Sequence, residues 1–308
     1  LNSIEIRNVT KTFGDVTAVD DLSLDVPGGS VYGFIGPNGS GKTTTLRMIM
    51  NIFYPDSGTI SVFGQDAARA IDRVGYLPEE RGLYRRMKVR EVLRFYGELK
   101  AGRNVDREVD DWLERLDLAS WADKKVETLS KGMSQKVQFI ASVVSSPEIL
   151  ILDEPFAGLD PVNTDVIRTC VLQIQETGTT VIFSTHDMSM AEKMCDFIFM
   201  IFKGSKVLDG TLESIQDEYG ADTLRVSCEG GAAAIRGLRG IAKVNDFGKV
   251  QEVRMVKGAD PQDILAGIMS RTKIRSFEVT RPSLHDIFIR IAGPEAREAE
   301  NAQVAEDS

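Results

Sequence analysis

At 308 residues the chain is long for one domain and comfortable for two, and 42% hydrophobic with 27% charged residues is the composition of an ordinary globular protein with ample core. A formal net charge of -9 argues against a surface built to collect nucleic-acid phosphates. The 3 cysteines, Cys170, Cys195 and Cys228, are widely spaced, which points to reduced thiols in a cytosolic protein and away from disulfides or zinc.

The first residues enter a strand pattern without a basic-then-apolar leader, and no apolar run approaches about 18 residues, so neither a signal peptide nor a membrane span is expected. Ile4-Glu5-Ile6-Arg7-Asn8-Val9 alternates like a half-buried strand, with Phe13 before a turn, and Leu22 to Val26 alternates again before Pro27-Gly28-Gly29. The apolar stretch Val31 to Ile35 runs into Gly36-Pro37-Asn38-Gly39-Ser40-Gly41-Lys42-Thr43 and a helix opened by Thr43-Thr44-Thr45. That is a phosphate-binding loop: glycines lack a Cβ, so successive backbone N–H groups can turn inward on phosphate oxygens. The two alternating segments read as antiparallel strands beside it. Asn38, Gly39, Ser40, Gly41 and Thr44 belong to the cradle, Lys42 reaches the β and γ phosphates of a nucleotide, and the Thr43 hydroxyl suits Mg²⁺.

Short strands follow around Gly58 to Phe63 and at Val74-Gly75-Tyr76-Leu77, ending at Pro78. From Val89 to about Ser146 the pattern is helical, with Val92, Leu93, Tyr96 and Leu99 on one stripe and Val109, Trp112, Leu113 and Leu116 on another. Pro147 then leads into Ile149-Leu150-Ile151-Leu152-Asp153, an unbroken apolar strand of the kind covered on both faces in a parallel sheet. Asp153 and Glu154 therefore stand at the C-terminal edge of the sheet, where the phosphate loop also lies. Asp153 suits Mg²⁺, and Glu154 is placed to deprotonate the water that attacks the γ phosphate. A helix over Pro161 to Glu176, a strand Thr180 to Ser184, a short helix near Met188 to Met194 and strands around Ile198 to Phe202 and Lys206 to Leu208 complete this part.

Beyond Gly210 to Gly220 the elements read Leu224 to Cys228 strand, Ala232 to Leu238 helix, strands at Ala242 to Phe247 and Val250 to Val256, Pro261 to Ser270 helix and Ile274 to Thr280 strand. This is the ferredoxin-like order βαββαβ. A last helix begins at Ser283, with Asp286 closing a capping box and Leu284, Ile287, Phe288 and Ile291 on its apolar face. His285 reads as a solvated helix residue. The tail carries Glu295, Glu298, Glu300, Glu306 and Asp307 against Arg297 and is expected to be disordered.

Leu129-Ser130-Lys131-Gly132-Met133-Ser134-Gln135, before a helix, resembles the signature sequence of ATP-binding-cassette ATPases, with Lys131 and Met133 where the family usually has glycine and glutamine. Ser130 and Gly132 can donate a hydroxyl and an N–H to a phosphate. Other landmarks come in family order. Gly158-Leu159-Asp160 looks like the D-loop, His186 in Ser184-Thr185-His186-Asp187 like the switch histidine that contacts the γ phosphate, and Phe13 like the aromatic that stacks on adenine. Glu79 stands where the family has a glutamine, and as a metal contact it adds negative charge beside the nucleotide.

With Tyr76 to Tyr84 and the closing Pro282 to Phe288, the chain resembles bacterial ATP-binding subunits of the sodium-exporter or multidrug-exporter type. The resemblance implies an α/β P-loop ATPase core with an antiparallel β subdomain and a helical subdomain (about 85–146) in residues 1–215, a small α+β accessory domain at 221–292 and an acidic tail at 293–308. It also implies a dimer, because the family pairs the phosphate loop of one subunit with the signature of another. A membrane-spanning permease would be the partner, no nucleic acid would bind, and the subunit would sit in the cytoplasm on the inner face of the membrane. The rival reading, a soluble cassette ATPase acting on ribosomes or DNA, is disfavoured by the single cassette, the short separation of Lys42 and Asp153, and the negative charge. A small-molecule kinase is disfavoured by the signature and Glu154.

Overall fold

The computed structural model describes residues 1–80, 82–220 and 222–293. Leu1–Thr211 form one compact unit, and a second begins at Leu212. The first unit runs β1 Asn2–Phe13, β2 Val16–Pro27, β3 Val31–Ile35, α1 Lys42–Ile49, β4 Ser57–Val62, β5 Gln65–Asp66, α2 Ala67–Ala70, β6 Val74–Leu77, α3 Val89–Ala101, α4 Asp106–Arg115 and α5 Lys131–Val143. It continues with β7 Ile149–Asp153, α6 Pro161–Glu176, β8 Thr180–Thr185, α7 Met188–Met194, β9 Phe197–Phe202 and β10 Ser205–Thr211.

Two sheets divide these strands. An antiparallel sheet has the order β2-β1-β4-β5, and a six-stranded sheet the order β10-β9-β3-β8-β7-β6. In the larger sheet β3, β6, β7, β8 and β9 are parallel, with β10 antiparallel at one edge. All five residues of β3 and of β7 are buried, as their apolar runs require of strands covered on both faces. The β1/β2 ladder is longer than the alternation of Ile4 to Val9 and Leu22 to Val26 indicates. It extends to a Phe13–Val16 hairpin end through polar residues that carry no burial pattern.

The helical part packs α3 and α4 through Val92, Leu93, Val109, Leu113 and Leu116 of the stripes read from the sequence, against Val137 and Ile140 of α5, whereas Leu99, expected on the first stripe, is exposed. Ser130 caps α5 and Asp160 caps α6, where Pro161 occupies the first turn. Among the described residues no helix is long and apolar enough to cross a membrane.

The second unit contains α8 Leu212–Tyr219, β11 Thr223–Cys228, α9 Gly231–Ile235, β12 Ile241–Asp246, β13 Gln251–Met255, α10 Pro261–Met269, β14 Ile274–Thr280 and α11, residues 284–293. Its antiparallel sheet has the order β12-β13-β11-β14, the ferredoxin-like arrangement. The break between units falls before α8, whose Gln216 side chain donates to the Pro282 carbonyl at 3.0 Å and whose Asp217 pairs with Arg281 at 2.9 Å. The sequence places this boundary near Gly210 to Gly220, with domains at 1–215 and 221–292. Helix α9 stops at Ile235, short of the expected Leu238, because Arg236 turns extended and Gly237 takes φ +75°. The capping box of α11 is present: Ser283 Oγ donates to Asp286 Oδ2 at 2.5 Å and accepts from the Asp286 N–H at 3.1 Å. Residues 294–308, most of the acidic tail, lie outside the described residues.

Candidate nucleotide site

The parallel register brings three strand ends to one place. Ile35 of β3 pairs with Thr185 of β8, and Ser184 of β8 with Asp153 of β7, so the phosphate loop, His186 and Glu154 leave neighbouring strands at the same edge. This is where open α/β sheets hold their ligands.

The loop folds tightly over its neighbours. A Cβ on Gly36 would lie 2.2 Å from the Ile201 carbonyl oxygen, and one on Gly41, at φ +111°, 2.4 Å from the Ala18 carbonyl oxygen. Only glycine fits at either position. Lys42 Nζ donates to the Gly36 and Pro37 carbonyls at 2.7 and 3.1 Å and stands 3.8 Å from Glu154 Oε1. Burial pushes the Lys42 ammonium below the usual lysine range, while Glu154, Asp153 and Glu79 pull it back up. Asn38, Gly39, Ser40, Gly41, Lys42, Thr43, Thr44, Glu79 and Glu154 line a cavity of about 320 Å³, closed on another side by Ala18.

Asp153 is fully buried. Its Oδ1 accepts from Thr43 Oγ1 at 3.1 Å and Ser184 Oγ at 2.5 Å. Burial raises the Asp153 carboxyl above the usual range, and these two hydrogen bonds oppose that shift. The Ser184 hydroxyl also accepts the Glu154 N–H at 2.9 Å, so one side chain braces both acids. Glu154 itself takes φ +46°. Its Oε1 lies 3.1 Å from His186 Nδ1.

That contact raises the His186 pKa above 6.5, against the opposing effect of burial. The charged imidazole is thus favoured by the fold, a contribution present in full below about pH 6.5 and lost as pH rises through the raised folded value. Glu154→Gln is expected to lower the His186 titration midpoint, read by proton NMR. The chain has 2 histidines, so a His285→Gln spectrum assigns the signal. An unchanged midpoint would exclude Glu154 as the cause.

A second group lies around the start of α5. Ser130 Oγ accepts from the Met133 N–H at 3.3 Å, and a Cβ on Gly132 would stand 3.2 Å from Asn163 Nδ2. Asn163 Nδ2 donates to Asp160 Oδ2 at 2.5 Å. The Val162 and Asn163 N–H groups donate to Asp160 Oδ1, and hydrogen bonding, led by the Asn163 N–H, holds this carboxyl below its usual range. Gln135 Nε2 ties the same helix to the Ala157 carbonyl at 3.1 Å. The fold thus collects Lys42, Thr43, Glu79, Asp153, Glu154 and His186 in one group and Ser130, Gly132 and Asp160 in another. Phe13, 44% exposed, packs edge-on to Phe53 at 5.4 Å and does not line the phosphate-loop cavity.

Sequence reasoning missed Ser184, Asn163, Ala18 and Ile201. Ser184 was visible as a small polar residue closing an apolar strand. The others act through a side-chain amide, a backbone carbonyl and a packing surface, which carry no local signal.

A buried Asp153 Oδ2 and the buried Ser40 Oγ have no hydrogen-bond partner among the described residues. With the Thr43 hydroxyl they form a hard-oxygen donor set of the kind that Mg²⁺ and phosphate satisfy. No group of three His, Cys, Asp or Glu side chains able to hold a metal occurs among the described residues. The donor set therefore suits an ion that keeps water and phosphate oxygens as its other ligands.

The family described as ABC transporter matches residues 19–157, and the family described as ATP-binding protein DrrA1-3-like, C-terminal domain, matches residues 210–292. The ABC transporter ATP-binding protein YhaQ of Bacillus subtilis (strain 168) is 40% identical over 293 residues, covering 94% of this chain and 98% of that protein. Nod factor export ATP-binding protein I of Burkholderia lata is 34% identical over 303 residues, 96% of this chain and 98% of that protein. Daunorubicin resistance ATP-binding protein DrrA3 of Streptomyces coeruleorubidus is 31% identical over 316 residues, 97% and 99% of the two chains. Among solved structures, an ATP binding subunit of an ABC transporter superposes with a TM-score of 0.66 at 28% identity, covering 70% of this chain and 93% of that one. The chain belongs to the ABC transporter family as an ATP-binding subunit, an ATPase whose hydrolysis is coupled to transport.

Proposed function

We propose that two copies of the chain face each other with two ATP molecules between them, and that hydrolysis at this interface drives export through a separate membrane-spanning partner. The observation that carries this reading is the division of the site residues into two groups: Ser130, Gly132 and Asp160 line no part of the phosphate-loop cavity. Each active site would join the Lys42 group of one copy to the Ser130 group of the other.

Lys42 and the N–H groups of Asn38 to Thr44 would hold the β and γ phosphates, and Phe13 would lie under the adenine. Thr43 and Asp153 would hold Mg²⁺, with Glu79 facing the same cavity. Bound there, the ion would neutralise charge developing on the phosphate oxygens. Glu154 would take the proton of the attacking water. His186, anchored on Glu154 Oε1, would orient that carboxylate and contact the γ phosphate. Ser130 Oγ and the Gly132 N–H would donate to the γ phosphate from the second copy, stabilising the transition state only when the pair is closed.

Export as the direction is supported by the relatives named for Nod factor export and for daunorubicin resistance. A permease contact is supported by an exposed aromatic group on the helical part: Tyr84 and Phe95 are 55% and 43% exposed, with ring centroids 5.7 Å apart. The subunit would then lie on the inner face of the membrane. The test is ATPase activity of the purified chain against its own concentration. Specific activity is expected to rise toward a plateau as pairs form; a specific activity independent of concentration, with the chain monomeric by sedimentation, would sink the sandwich.

A further inference from the structure

The sheet of the second unit has two unlike faces. Leu224, Val226 and Val253 face the core shared with Ile235 of α9 and with Ile264 and Ile268 of α10. Alternation puts the intervening residues on the other face, where the register aligns Thr223, Arg254 and Lys243 in one row and Arg225, Glu252 and Asn245 in the next. The second row sets Arg225 opposite Glu252, a pair of opposite charges. The first sets two cations, Lys243 and Arg254, directly opposite each other, an arrangement that destabilises a bare sheet.

Beside this row lies a cavity of about 640 Å³, bounded by α11 and the β12–β13 hairpin. Arg290 of α11 donates to Asp222 Oδ1 at 3.0 Å and Thr223 Oγ1 at 3.2 Å, and Arg254 Nε stands 3.3 Å from Asp222 Oδ2. A single carboxylate therefore serves two guanidinium groups. Lys243, also on the wall, has no hydrogen bond or ion pair among the described residues. Glu252 and Asp286 also line the cavity, and their contact raises the Glu252 carboxyl and lowers that of Asp286. Burial and that contact push Glu252 up to about 7, and Arg236 and Asp246, also on the wall, oppose each other in charge. Ile289 and the 68%-exposed Phe247 add apolar surface to the same wall.

We propose that this cavity binds a small organic phosphate, with the phosphate held by Lys243 and Arg254 and the organic part lying on Phe247 and Ile289. A dianionic group relieves the opposed cations, and an apolar body covers Phe247.

The phosphate loop binds phosphates too, but each site has its own histidine: His285 lines this cavity and His186 the ATP site. Phenyl phosphate titrated into the full chain at constant ionic strength is expected to move the His285 NMR signal saturably. Lys243→Ala and Lys243→Met, at an exposed position, are expected to weaken binding by roughly tenfold, as loss of one charge-assisted hydrogen bond implies. Inorganic phosphate should bind more weakly than phenyl phosphate. A His285 signal that does not saturate, or saturates equally in both Lys243 variants, overturns the site; equal affinity for inorganic phosphate overturns the apolar half.

Discussion

Glu154→Gln is expected to lower ATP turnover by about a hundredfold to ten-thousandfold, the range for losing a general base, while ATP binding persists. The geometry makes this substitution informative. Glutamine keeps the size of the side chain and an oxygen able to meet His186 Nδ1, so what it removes is the negative charge and the basicity. The carboxylate also stands 3.8 Å from Lys42 Nζ in a position 7% exposed, so losing its charge leaves the lysine freer to bind phosphate. The variant should therefore bind ATP at least as tightly as the parent and accumulate as a closed pair. Single-turnover phosphate release, nucleotide binding and sedimentation with ATP separate these effects. Turnover within threefold of the parent would remove Glu154 from the role of base. Loss of both binding and turnover would show that it holds the site together instead.

The chemistry that depends on consecutive residues was legible in the sequence, and the chemistry that depends on register was not. The phosphate loop is a local pattern whose glycines are forced by close backbone contacts, and the five buried residues of β7 announced where Asp153 and Glu154 must emerge. Ser184 braces both acids only because β7 and β8 pair with Asp153 opposite Ser184, a long-range alignment that no window of sequence encodes. Asn163 joins Gly132 to Asp160 through the packing of α5 on α6, which is equally nonlocal. Secondary structure obeyed the same rule. Capping at Ser283 and Asp160 fixed helix starts, whereas α9 ended early at a glycine inside its apparent pattern, and the polar ends of β1 and β2 are held by ladder hydrogen bonds with no burial signal.

The phosphate loop supplies the second large effect. Gly41→Ala is expected to weaken ATP binding by roughly a hundredfold, whereas Gly39→Ala should cost about tenfold or less. Both positions have positive φ, +111° and +72°, but only +72° lies near the left-handed well that an alanine can occupy at about 1 kcal/mol. Space separates them further. A Cβ on Gly39 meets nothing within 4 Å, while one on Gly41 meets the Ala18 carbonyl oxygen at 2.4 Å and Ile201 Cδ1 at 3.1 Å. The free loop can relax away from Ala18, but Gly41 precedes α1 directly and its carbonyl accepts both the Thr45 N–H and the Thr45 hydroxyl at 2.9 Å, so relaxation shifts the start of that helix. Recovering the phosphate-binding shape then costs about 3 kcal/mol of strain, which is the hundredfold loss. Calorimetric titration with ATP, alongside urea unfolding to confirm that both variants remain folded, measures the contrast. Equal affinities for the two alanine variants would mean that the cradle tolerates a displaced Gly41, and that the contact with Ala18 does not set its shape.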